Sequence, residues 1–189
     1  MTSESLAFES EIISLSPINE LAPLKLMGPI QPSISPFNEV QHLSQLKAIL
    51  ESVMLKKAFT SDDILLASEA IKNKLENKPG QDIKVAEFNG IALGFICYSR
   101  VPASESSYEI EWLAVHPYAQ GNGIGSMLVS MAEKDIRGKS GKIIILETTS
   151  KKEYSTARHL YEKSGYKIVS RLYKLYSEKE DHLTYRKDI

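Results

Sequence analysis

Residues 107 to 125, SYEIEWLAVHPYAQGNGIG, decide how this chain folds. The stretch reads as a strand that stops at Pro117, crosses a glycine-rich loop and opens directly into a helix. Such a junction leaves the first N–H groups of the helix without intrahelical partners, at the positive end of its dipole. It is built to hold an anion, and a phosphorylated cofactor is the ligand class that fits.

Working outward, period-two alternation puts Glu109, Glu111, Leu113 and Val115 on one face of the strand and Ile110, Trp112 and Ala114 on the other. After the loop, Ile124, Leu128, Met131 and Ile136 form a helical apolar stripe, which Gly138 and Gly141 close. Ile143 to Leu146 is a continuous apolar run, expected for a strand buried on both faces. Strand, helix and strand in this length predict a parallel βαβ unit.

Upstream, Asn89-Gly90 joins Ile83–Phe88 to Ile91–Ser99 in a tight hairpin, because both turn residues tolerate positive φ. Further back, Val40, Leu43, Leu46, Leu50 and Val53 line a helix over 38–59. Ile64, Leu65, Ile71 and Leu75 line a second one, ending before Pro79-Gly80. Downstream, a helix over about 154–163 carries Tyr154, Arg158 and Tyr161 on one face with Ala157 beside them, and Gly165 is placed as its left-handed cap. Strands over 166–173 and 183–187 finish the chain. The fold class is α/β: a mixed sheet with helices on its faces, over residues 37–189. Residues 1–36 hold five of the eight prolines and are expected to form a partly ordered extension, from which 30–34 could supply an edge strand.

With 189 residues, 42% hydrophobic and 25% charged, the composition is that of an ordinary globular domain. A net charge of −1 gives no global reason to expect nucleic acid or an anionic membrane as partner. Neither a secretory signal nor a membrane-spanning apolar run is apparent, which makes the cytoplasm the expected compartment. The single cysteine, Cys97, lies in an apolar run and reads as a buried, inert thiol. The four histidines are scattered and there is no C-x-x-C, so no metal site is expected. The loop misses the G-x-G-x-x-G spacing, lacks the Lys-Ser/Thr of a P-loop, and no G-x-S-x-G elbow supports a hydrolase.

The string Val115-His116-Pro117-Tyr118-Ala119-Gln120-Gly121-Asn122-Gly123-Ile124-Gly125 meets every position of V-x-P-x-x-Q/R-x-x-G-x-G/A. It resembles the acyl-CoA-binding signature of the GCN5-related N-acetyltransferases (GNAT). A second block, Ala157-Arg158-His159-Leu160-Tyr161-Glu162-Lys163-Ser164-Gly165-Tyr166, resembles that family's A-x-x-L-Y-x-x-x-G-F/Y helix and strand. The resemblance covers roughly residues 82–187. Glu147-Thr148-Thr149 with Tyr154, Arg158 and Tyr161 is similar to a bacterial and archaeal subgroup pattern, E-T-S-x-x-x-Y-x-x-x-R-x-x-Y, but the D-F-Y-x-x-G-D-D stretch that comes after it there is incomplete at 174–181.

The resemblance implies a GNAT fold and an acetyl-CoA-dependent N-acetyltransferase. It implies that the pyrophosphate of coenzyme A rests on backbone N–H groups of Gln120, Gly121, Asn122, Gly123, Ile124, Gly125 and Ser126. The glycines would be required because a Cβ would hold the phosphates off the amides. Leu113, Ala114 and Val115 would supply the strand along which the pantetheine arm pairs, provided the sheet splays there, and a backbone N–H near them would polarise the thioester carbonyl. Tyr154, Ala157 and Arg158 fall on the cofactor side of the second block, Tyr154 where relatives often carry asparagine. Tyr161 matches the family's general acid. Glu109 aligns with the carboxylate that some relatives use as base; Glu111, Glu147 or water are alternatives. The acceptor would be an amine of a small molecule or a protein, and monomer and homodimer are both compatible. A non-catalytic acyl-CoA sensor or interaction module is the rival reading.

Overall fold

The computed structural model describes residues 31–55, 62, 65, 69, 81–178 and 180–189. In chain order the elements are β1 (Ser33–Pro36), α1 (Glu39–Leu55), β2 (Gln81–Phe88), β3 (Ile91–Arg100), β4 (Ser107–Val115), α2 (Ile124–Gly138), β5 (Ile143–Thr149), α3 (Ser155–Lys163), β6 (Lys167–Ser177) and β7 (Glu180–Asp188). The second helix read from the sequence falls mostly outside the described residues; Asp62, Leu65 and Glu69 within it are helical.

Among the described residues, seven strands form one sheet in the order β1-β2-β3-β4-β5-β7-β6. Only β4 and β5 run parallel, joined through α2, while every other neighbouring pair is antiparallel. The Asn89-Gly90 hairpin forms with φ values of 51° and 78°. β1 lies at one edge, and its residues 33–36 pair with β2.

Among the described residues, two apolar cores flank the sheet. One packs α2 and α3 (Ile124, Leu128, Ile136, Tyr161) against Leu93, Ile96, Tyr108, Ile110, Leu146 and Tyr185. The other packs α1 (Leu46, Ile49, Leu50, Val53) against Val85, Phe95, Cys97 and Ala114. Helix α1 therefore turns a face of His42, Leu46, Ile49, Leu50 and Val53 inward, and Val40 is 97% exposed, contrary to the sequence reading. The buried polar member of that face is satisfied: His42 Nδ1 accepts from the Asn38 N–H at 3.0 Å and its Nε2 lies 3.4 Å from Glu87 Oε2.

Strand β5 also differs from expectation. Ile144 and Leu146 are buried, whereas Ile143 and Ile145 are only half-buried. Among the described residues, no element lies over β5 on the face that α1 shares with β2 to β4.

Candidate active site

The opening stretch folds as a strand, a tight turn and a helix start, and each junction has a local cause. β4 ends where the His116 N–H donates to Leu93 O at 2.8 Å, and the His116 Nδ1 then accepts from the Tyr118 N–H at 3.3 Å, capping a 3-10 turn over Pro117–Ala119. The Gln120 side chain donates back to Val115 O at 3.0 Å and Asn122 Nδ2 to Ala119 O at 3.2 Å, which shapes the loop without using its backbone donors. Gly121 and Gly123 adopt φ of 84° and 76°, a conformation that charges any Cβ-bearing residue a steric penalty. Gly123 is the residue before α2, and its carbonyl accepts from the Met127 N–H at 3.0 Å. Among the described residues, none accepts from the N–H groups of Ile124, Gly125 or Ser126, so these donors point out of the helix end together. Gly125 owes its place to packing: a Cβ there would sit 3.0 Å from Leu160 Cδ2 of α3. Gly121 and Gly123 thus have a conformational reason for being glycine, and Gly125 a reason in close helix approach.

The sheet splays beside this loop. β4 and β5 pair from Ser107↔Ile143 to Ile110↔Leu146 and no further. β4 continues to Val115 on β3, and β5 continues to Thr149 on β7. The backbone of Glu111 to Val115 therefore faces a gap on its β5 side, open to an extended ligand with amides of its own.

A β-bulge shapes the same segment. Cys97 pairs with Trp112 and Tyr98 with Ile110, leaving Glu111 as an extra residue in β4. One added residue reverses the side-chain parity of the strand beyond it. Tyr108, Ile110, Leu113 and Val115 thus all pack on the α2/α3 side, while Trp112 and Ala114 join the α1 side. This corrects the sequence reading: Glu109 and Glu111 do not share a face with Leu113 and Val115 but lie across the sheet from them.

The two glutamates differ in surroundings. Glu111 accepts hydrogen bonds from Gln81 Nε2, Ser99 Oγ and Cys97 Sγ, which ties it into the sheet. Glu109 is half-buried; burial raises its carboxyl above the usual carboxylate range, and the charges of Glu147 and Glu111 add to the rise. Glu147, at the end of β5, is half-exposed and lies 3.4 Å from His182 Nε2.

Tyr161 stands in the opposite core, 8% exposed, with ring centroids 6.0 Å from Tyr185 and 6.2 Å from Tyr166. Its cluster includes Ile110 and Leu146, the last pair before the strands part, together with Leu113 and Val115 beyond it. Burial pushes the phenol up to about 12, with Tyr185 adding to it, so the hydroxyl keeps its proton at neutral pH. Its helix ends as the sequence indicated: Gly165 has φ of 90°, with Gly165 N–H donating to Glu162 O and Tyr166 N–H to Tyr161 O, both at 3.0 Å. On the same helix, Ala157 and Arg158 are half-buried, and Arg158 Nη1 donates to Thr149 O and Lys151 O; Tyr154 is half-buried at the helix start. Among the described residues, no group of histidine, cysteine, aspartate or glutamate is arranged to hold a metal ion, and no helix is long and apolar enough to cross a membrane.

Residues 79–168 match the acetyltransferase (GNAT) domain family. No curated protein matches the chain in sequence. Among solved structures, a candidate GNAT acetyltransferase from Desulfovibrio desulfuricans superposes with a TM-score of 0.77 at 25% identity, covering 84% of this chain and 99% of its own. An aminoglycoside 6′-acetyltransferase type Ii gives 0.65 at 25% identity, over 82% and 96%. An aminoglycoside 6′-N-acetyltransferase complexed with coenzyme A gives 0.65 at 21% identity over the same shares, a likeness of fold.

Proposed function

Since the chain carries a GNAT acetyltransferase domain over residues 79–168, we propose that it is an N-acetyltransferase that uses acetyl-CoA and transfers the acetyl group directly to a primary amine. The observation that carries the reading is the β4–β5 splay, which opens beside a helix start with unpartnered N–H groups and has Tyr161 in the core behind it. Acetyl-CoA, when bound, supplies an acetyl group activated as a thioester.

In this reading Gln120, Gly121, Asn122, Gly123, Ile124, Gly125 and Ser126 hold the pyrophosphate through backbone N–H groups and the helix dipole. The open edge of β4 at Leu113, Ala114 and Val115 pairs with the pantetheine amides, and Tyr154 and Ala157 border the arm from the helix side. Glu109 accepts a proton from the ammonium of the acceptor, directly or through water, so that a neutral amine forms the C–N bond. Its raised affinity for protons suits that task, because a base works best with a pKa near the working pH. As the C–S bond breaks, the Tyr161 hydroxyl donates its proton to the departing thiolate and regains the one that the new amide nitrogen sheds, relayed through water. Glu109 and Tyr161 lie on opposite sides of the sheet, so base and acid reach the reacting carbon from two directions. The base and the two carboxylates near it, Glu111 and Glu147, favour a cationic amine, carried by a small molecule or a protein.

The test is release of CoA thiol when the protein is mixed with acetyl-CoA and a panel of amines that includes aminoglycosides, streptothricin and peptide N-termini. We expect turnover with at least one amine, and expect Tyr161→Phe to lower kcat by about a hundredfold with CoA affinity unchanged. Full activity in Tyr161→Phe removes the acid role. Tight CoA binding without turnover across the panel favours a cofactor sensor instead.

A further inference from the structure

The cleft exists because β5 stays with β7 to its last residue instead of following β4, and the loop after β5 is held from two sides. On the strand side, the Ser150 N–H donates to Asp181 O and the Asp181 N–H to Ser150 Oγ, both at 2.9 Å. Lys151 Nζ lies 3.0 Å from Glu180 Oε2, a carboxylate of a buried residue. On the helix side, Arg158 of α3 donates through Nη1 to Thr149 O at 2.6 Å and to Lys151 O at 2.7 Å. One guanidinium nitrogen thus bridges two carbonyls of the loop, bonds made stronger by its charge. Arg158 lies three residues before Tyr161, so both project from the same face of α3. The anchor for the exit of β5 is therefore also the anchor for the start of the helix that carries Tyr161.

We propose that Arg158 is a positioning residue: it ties the exit of β5 to α3, sets the width of the β4–β5 cleft, and does not bind a phosphate of the cofactor. This rests on the reading of that cleft as the coenzyme A site, and departs from the expectation that Arg158 is a cofactor contact. Its bonding nitrogen is spent on the two carbonyls, and its partners belong to the wall of the cleft opposite β4. A phosphate contact and a wall anchor make different demands on the ligand. The first acts on any molecule with the phosphates, the second only on one whose arm fills the cleft.

The test uses the full chain, with CoA and adenosine 3′-phosphate 5′-diphosphate, which carries all three phosphates but no pantetheine, measured by titration calorimetry. Hydrogen exchange at the Ser150 and Asp181 amides is followed alongside. Arg158→Met is expected to weaken CoA by about tenfold, the loss of a charge-assisted bond, and to leave the phosphate probe within about twofold. Exchange at Ser150 and Asp181 is expected to quicken. Ser150→Ala, which touches neither Arg158 nor the loop of phosphate donors, is expected to weaken CoA in the same selective way, and Arg158→Lys to fall between, since an ammonium replaces the planar fork. Should Arg158→Met fail to fold, the lysine and Ser150 variants carry the test. Equal weakening of both ligands overturns the proposal, as does unchanged CoA affinity. If the unaltered protein binds neither ligand, the cofactor reading has failed, and slow exchange persisting at Ser150 and Asp181 in Arg158→Met then overturns the anchor as well.

Discussion

Gly94 is the position where one added methyl group tests the architecture most directly. It sits in β3 opposite Val115, the residue on which β4 ends. A Cβ there would lie 2.7 Å from Ala114 O and 3.2 Å from both Val115 Cα and Val115 Cγ2. Carbon–oxygen contacts between strands settle at about 3.3 Å, so β4 must move away by roughly 0.6 Å. The nearest clash is with backbone, which cannot swing aside as a side chain would. It falls beside the bond from His116 N–H to Leu93 O that closes β4 and starts the glycine-rich loop. Overpacking of this kind costs about 1–3 kcal/mol, and the strained bond places Gly94→Ala at the upper end, about 3 kcal/mol. Because the displaced strand is the proposed pantetheine track, CoA affinity should fall as well, by about tenfold. Urea unfolding gives the stability change and calorimetry the affinity. Gly138→Ala is the control: a Cβ there meets nothing within 4 Å and lies at the end of α2, so the variant should be neutral or stabilised by about 0.5 kcal/mol. If Gly94→Ala unfolds at the same urea concentration as the unaltered protein and binds CoA as well, the account of how β4 is held is wrong.

Two further outcomes concern the site. Burial, Glu147 and Glu111 raise the Glu109 carboxyl, so the folded chain holds that proton more tightly than the unfolded chain. Stability is then lost as pH climbs from the ordinary carboxylate range through the raised value. Glu109→Gln should therefore increase Tm at pH 8, with the gain vanishing near pH 3.5, while activity falls; a gain of equal size at both pH values would refute the cause given. Gly123→Ala faces open space but must adopt φ of 76°, so it should lose about 1–2 kcal/mol in urea unfolding and weaken CoA by displacing the helix start; unchanged stability would rule out the strain.

Features fixed by a few adjacent residues were legible in the sequence. The Asn89-Gly90 turn, the Gly165 cap and the strand-loop-helix junction each depend on local conformational preference, and each is present. The bulge at Glu111 was not legible, because an extra residue in β4 shows itself only against its partner β3. A strict period of two therefore placed Leu113 and Val115 on the wrong face. In α1 a buried histidine hid the true stripe: His42 is polar by type but spends its ring nitrogens on Asn38 and Glu87, so the inward face was read around Val40 instead. For β5, an apolar run gave no hint that one face is only half covered. Arg158 was visible as a residue of the second block, but its partners, two carbonyls of the β5 exit, emerge only once the strand and helix are packed.

The placement of Glu109 and Tyr161 on opposite faces of the sheet has a consequence for inhibitor chemistry. In the proposed reading, with Glu109 on one side of the sheet and Tyr161 on the other, the amine acceptor and acetyl-CoA approach the reacting carbon from opposite faces. A compound that copies either substrate alone will be relieved by an excess of that substrate and not by the other. A compound that copies both must be a threaded one, its linker passing between β4 and β5 with a head on each side. Its best linker length would then report the thickness of the sheet at Glu111.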